Sequence, residues 1–243
     1  MKLESHKTIV GAGVAFLSLF LVFFHFLDTP KVWVDEGVFT EVAKNMALHG
    51  VIGIQTSPGV YFPMNNILLT TSYPVIAPIA GMFYLFGVGL VQARLIMVFY
   101  MLLLLISAYL LSRAVYGFVP AVMTVLLILS FSPFYGNGRP VQGEVPGIAL
   151  FVLGLFMIYL CEKKQYTDSR LLFISGAVTG LAASVKPLFL VGISFALVIG
   201  LIAYYRKISD KKKNIIFYFR IYYSHTCLAV DTRSLQRINN KVY

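Results

Sequence analysis

Three short polar stretches hold most of the side chains in this sequence that could do chemistry. The first is Trp33-Val34-Asp35-Glu36-Gly37, with two adjacent carboxylates. The second runs from Ser132 to Pro146 and carries one cation, Arg139, and one acid, Glu144. The third is Ser184-Val185-Lys186-Pro187. A carboxylate can take a proton from an attacking hydroxyl or amine. A fixed cation can hold the charge of a phosphate. Plainer readings compete at each place. Asp35 can be a helix N-cap and Glu36 a complement to the helix dipole. Arg139 and Glu144 can be a surface ion pair, worth about 0–1 kcal/mol. Lys186 can be a lysine snorkelling from a helix end. The position of Asp35 and Glu36, directly after an apolar run, favours function, because unpaired carboxylates facing lipid are costly.

The elements that must position these residues are mostly apolar. Of 243 residues, 58% are hydrophobic and only 12% charged. A soluble domain is usually about 45–50% apolar and about 25% charged. The excess requires a membrane, and the fold class is all-α and polytopic. Thr8–Leu27 is 20 residues without a lysine, arginine or acid. It is too long for a signal h-region and reads as a retained first span. Further apolar runs cover Tyr73–Phe86, Leu95–Leu111, Val119–Phe131, Gly147–Cys161, Leu171–Val185 and Leu188–Tyr205. About six to seven transmembrane or re-entrant helices follow.

Charge orients them. Lys2 and Lys7, then Lys163, Lys164 and Arg170, then Arg206, Lys207 and Lys211–Lys213 mark cytoplasmic segments by the positive-inside rule. The net charge of +10 is thereby assigned to loops and tails, not to nucleic acid. An even number of crossings must separate the N-terminus from Glu162. Five runs lie between them, so one of Tyr73–Phe86 and Val119–Phe131 is expected to be re-entrant or broken. Loops 28–72 and 132–146 and Lys186 then share the outer face. In the first loop Val38, Phe39, Val42, Ala43, Met46 and Ala47 recur at helical spacing. Glu41, Lys44, Asn45 and His49 take the other face, and Gly50 supplies a stop. This predicts an amphipathic helix lying at the membrane surface. Gly176 and Gly180 read as helix packing. His25, His49, Cys161 and Cys227 show no metal-ligand spacing, and no phosphate-binding glycine loop, nucleophile elbow or zinc motif occurs.

The order of features resembles a known group. A span leads to Asp35-Glu36-x-x-Phe39-x-x-x-Ala43, closing at Gly50. Then come Tyr73-Pro74-x-x-x-Pro78, Leu85-Phe86-Gly87 and Arg94, then Ser132-Pro133 with Arg139 and Glu144, then Gly176-x-x-x-Gly180-Leu181 and Lys186. This resembles the N-terminal half of the glycosyltransferase C superfamily, nearest to the protein O-mannosyltransferase and lipid A aminoarabinose transferase group. The resemblance implies a polyprenyl-phosphate-linked sugar donor and transfer at the external face to a lipid, glycan or protein. It implies Asp35 as catalytic acid, Glu144 as the second-loop acid with Glu36 beside Asp35, and Arg139, Lys186 and Tyr73 as substrate contacts. Glu144 stands where the group usually has Asp, Phe39 replaces a common Tyr, and Ser72-Tyr73 occupy a place often basic. No cofactor or metal-ligand set is expected, and a divalent cation stays compatible with the carboxylates. Membrane lipid is the expected surrounding partner, in a bacterial or archaeal plasma membrane with the N-terminus cytoplasmic. A transporter or flippase of a lipid-linked substrate is the alternative. Residues 1–205 form the transferase-like module. Residues 206–243 read as a basic tail, disordered or frameshifted, and with them an inactive truncated form is a further expectation.

Overall fold

The computed structural model describes residues 2–63, 71–186 and 188–194. The tail 206–243 and most of the run 188–205 lie outside the described residues. The architecture is helical and suited to a membrane. Helix α1 (Lys2–Phe23) has 22 residues, about 33 Å at 1.5 Å per residue. Helices α2 (Val34–His49) and α3 (Tyr73–Phe86) follow, separated by a hairpin of β1 (Gly53–Ser57) and β2 (Val60–Pro63). Then come α4 (Leu90–Tyr116), α5 (Phe118–Ser130), α6 (Ser132–Gly138), α7 (Glu144–Lys163) and α8 (Ser169–Val185). Among the described residues α1, α4 and α7 are long and apolar enough to cross a bilayer, and α5 with α6 makes a fourth crossing if that bent pair is one span. The six to seven expected segments thus include shorter ones, α3 and α8.

Helix α4 is the centre. It packs against α1, α3, α5, α6 and α7, and α7 packs along α8. The shared core includes Met97, Met101 and Leu105 of α4 with Ile76, Ile79 and Phe83 of α3. The α7–α8 contact runs end to end. Cys161 and Ser175 meet at one end, and Glu144 pairs with Lys186 at the other. Between them Gly154 lets the backbones approach, since a Cβ there would stand 2.5 Å from Thr179 Oγ1. Gly176 and Gly180, the glycines expected to pack, face open space instead.

Two prolines inside helical segments orphan carbonyls, and two tyrosines satisfy them. A proline nitrogen cannot bond the carbonyl four residues earlier. Pro78 lies within α3, and Tyr100 of α4 donates its hydroxyl to Pro74 O at 2.5 Å. Pro133 opens α6, and Tyr135 donates to Leu129 O at 2.8 Å. Pro133 coincides with the break between α5 and α6, which are bent by 66°. Sequence parity required one short run to be broken or re-entrant. Helix α3 stays at one end: Ser72 N–H donates to Val185 O at 3.1 Å, and Phe86 O accepts from Gln92 near the start of α4.

The amphipathic helix is present, with a difference. Gly50 ends α2 in the left-handed conformation, its N–H bonding Asn45 O and Met46 O. Its apolar face, Phe39, Val42 and Ala43, is covered by α3 rather than offered to lipid. Asn45, expected on the polar face, is fully buried and donates to Gly53 O at 2.7 Å, tying β1 to α2. The hairpin itself was not expected. Its two-residue turn, Pro58-Gly59, joins Ser57 to Val60 with Gly59 at φ 77°, the positive φ that glycine supplies at no steric cost.

Candidate functional site

The polar candidates converge on one end of the helices. It comprises the C-terminus of α1, the N-termini of α2, α3, α4 and α7, and the C-terminus of α8. The opposite end carries Arg113, Lys163 and Lys164.

The centre of this end is an arginine to which the sequence assigned no role. Arg94 lies one turn into α4 and is fully buried. Its Nε and Nη2 hold the two oxygens of Glu36 at 2.8 Å each. Nη1 donates to Phe26 O and Leu27 O, and Nη2 also to Pro30 O, at 2.7–2.9 Å. All five N–H donors of the guanidinium are therefore used. These three carbonyls lie in the turns that follow α1, past its last residue Phe23, and converge on the guanidinium. Glu36 is equally buried, with no exposed side-chain surface. The fork geometry matches a carboxylate in two-point fashion.

Asp35 is next to Glu36 but differs from it. It is exposed and has no side-chain partner among the described residues. The helix begins at Val34, with Trp33 as its extended N-cap residue, so Asp35 lies inside the first turn and does not cap it. The buried pair beneath fixes the register of that turn, and Asp35 projects from it into solvent.

Arg139 does not pair with Glu144. Its guanidinium reaches α1, where Nη2 donates to Leu21 O and Phe24 O at 2.9 and 2.8 Å. Nη1 bonds Thr29 Oγ1 at 3.0 Å, and Tyr135 stacks with the group at 4.9 Å. Burial holds Arg139 below the ordinary arginine value. Tyr135 opposes that shift, while neighbouring Arg94 adds to it. The Nε of Arg139 is buried without a hydrogen-bond partner among the described residues.

Glu144 opens α7 and pairs with Lys186, the extended residue directly after α8. The pair is partly open, with side chains 37% and 22% exposed. The other oxygen of Glu144 is buried and unbonded among the described residues. The Ser72–Val185 backbone bond brings the start of α3 to the end of α8, so Tyr73, half exposed, and Lys186 each follow a residue of that bond. Two ion pairs therefore stand at this end: Glu36–Arg94, with Asp35 next to Glu36 in the chain, and Glu144–Lys186, with the start of α3 tied by Ser72 to the end of α8. Arg139 lies in the loop joining α6 to α7, between Arg94 and Glu144 in sequence. Among the described residues no three His, Cys, Asp or Glu side chains gather as a metal-binding set.

The chain matches the dolichyl-phosphate-mannose-protein mannosyltransferase family over residues 74–223. That is more than half its length, and the chain belongs to this family of membrane glycosyltransferases. The matched part holds Arg94, Arg139, Glu144 and Lys186, while Asp35, Glu36 and Tyr73 precede it. No curated protein and no solved structure matches the chain significantly.

Proposed function

We propose that this end is the sugar-transfer site of a glycosyltransferase that uses a polyprenyl-phosphate-linked donor. The observation that carries the reading is the contrast within one dipeptide. Glu36 is locked to Arg94, and Asp35 beside it is exposed and uncommitted. In the proposed step an acceptor hydroxyl or amine attacks the anomeric carbon. Its proton passes to the Asp35 carboxylate as the new bond forms. The bond from the anomeric carbon to the phosphate oxygen breaks, and the lipid phosphate leaves with that electron pair. Direct displacement inverts the anomeric centre.

Glu36 is on this reading a positioning residue, acting through the α2 backbone. Lys186 is the cation best placed for the leaving phosphate, because Glu144 holds it at a partly open surface. Tyr73 flanks the same place. Arg139, with one terminal nitrogen on the end of α1 and the other on Thr29, orders the loop and adds positive potential rather than gripping a ligand. Positive-inside reasoning places this end outside, where the resemblance also places transfer. A translocation path is disfavoured, because the buried arginines are spent on Glu36 and on Thr29 and backbone carbonyls between Leu21 and Pro30. The test is sugar transfer by membranes carrying Asp35→Asn. General-base loss predicts a fall of about 10²–10⁴-fold with expression unchanged.

A further inference from the structure

The end opposite the carboxylates holds a feature the proposed reaction does not use. A groove of about 390 Å³ lies between α1, α4 and α5. It is lined by Gly11, Val14 and Ser18 of α1, Leu105 and Tyr109 of α4, and Val125 of α5, among others. Small α1 residues open it: a Cβ on Gly11 would find only the Phe118 ring, 4.0 Å away. Ser18 and Tyr109 are the polar residues in the lining, and Ser18 spends its hydroxyl on Val14 O at 2.7 Å. Leu19 and Ile106 line it and are about half exposed. Two of the walls, α1 and α4, are long and apolar enough to cross a bilayer, so the groove opens to hydrocarbon. Its volume falls within the roughly 300–1,000 Å³ of ligand sites.

The groove ends in a cation. Tyr109 Oη accepts from Arg113 Nη1 at 3.2 Å, and the guanidinium lies 5.8 Å from the Tyr109 ring centroid. Arg113 is exposed, one turn beyond the lining, and no carboxylate pairs with it among the described residues. A second cation lies along the same helix ends. Tyr159 donates to Ala114 O at 2.7 Å, joining the ends of α7 and α4, and Lys163 lies 5.4 Å from the Tyr159 ring. From Leu102 to Tyr109 the lining rises about 10 Å along α4. An apolar channel in the hydrocarbon layer, finishing at a cation one helical turn further on, has the layout of a phospholipid: chain below, phosphate above.

We infer that this groove binds one acyl chain of an anionic phospholipid whose phosphate rests on Arg113. A basic site between helix ends selects acidic head groups. A zwitterionic lipid offers the same chain without the net charge. The site is independent of the transfer reaction and stands if that reading fails.

The test is native mass spectrometry of the full chain released from nanodiscs of equal phosphatidylglycerol and phosphatidylcholine with identical chains. One phosphatidylglycerol should be retained in preference. Arg113→Gln should weaken its retention about five-fold and leave phosphatidylcholine unchanged. Ala15, on α1, also lines the groove; Ala15→Phe should fill it and reduce retention of both, and Ile106→Phe at the exposed rim should do the same should Ala15→Phe not fold. Equal retention of the two lipids overturns the inference, as does an unaltered Arg113→Gln. So does displacement of phosphatidylglycerol by an equimolar polyprenyl phosphate, or a dimer that excludes lipid from the groove.

Discussion

Glu36 and Arg94, 58 residues apart, form a two-point ion pair with both contacts at 2.8 Å and neither side chain exposed. The pair joins the first turn of α2 to α4. Through the other donors of Arg94 it also joins both to the segment 26–30 that follows α1. Removing one member of such a pair leaves a buried charge, which costs about 3–5 kcal/mol.

Arg94→Leu should therefore destabilise the protein by at least that amount. It strands Glu36 and three carbonyls together. Glu36→Leu should cost less, because Arg94 keeps its carbonyls. The double variant should lose less than the sum of the two, since residues in one network couple. Unfolding in detergent, followed by circular dichroism, checks the order. Additive losses would show that the pair is not coupled.

Tyr100→Phe should destabilise α3 by about 1 kcal/mol, because it removes a hydrogen bond to the part-buried Pro74 O. Pro78→Ala restores an N–H at the position that can bond that carbonyl. In the Tyr100→Phe background it should recover most of the loss. A double variant no more stable than Tyr100→Phe alone would refute the pairing of the tyrosine with the proline.

Close packing of α7 on α8 makes a further distinction. Gly154→Val should cost about 1–3 kcal/mol by overpacking against Thr179. Gly176→Ala and Gly180→Ala should be close to neutral, since each added methyl meets open space. Melting temperatures of the three variants decide between them.

Lys186→Gln should raise the KM for the sugar donor by about 10–100-fold, the loss of one contact to a charged group. Its effect on kcat should be smaller. A change confined to the acceptor KM would move Lys186 away from the phosphate.

Much of this end was legible in order but not in connection. The helical spacing from Val38 to Ala47 and the Gly50 stop marked α2, and the positive loops arranged the carboxylates and Lys186 together. Arg94 was visible as part of a pattern, yet three of its five bonds go to backbone carbonyls of the segment after α1, Phe26, Leu27 and Pro30, which leave no side-chain signature. Arg139 and Glu144 suggested each other by proximity in sequence. Instead Arg139 turns to α1 and Glu144 to Lys186, because the open carbonyls at a helix C-terminus compete for a cation. The hairpin did have a signal, Pro58-Gly59 between short alternating runs. Its tie to α2 through Asn45 had none, since an asparagine among polar neighbours reads as surface.

The central claim is that Asp35 takes the proton while Glu36 holds the turn. The most direct measurement is the initial rate of sugar transfer from a polyprenyl-phosphate-linked donor, in proteoliposomes carrying equal amounts of folded wild-type or Asp35→Asn protein. The predicted result is a loss of at least about 10²-fold with the melting temperature unchanged. An Asp35→Asn protein transferring sugar at the wild-type rate would contradict it.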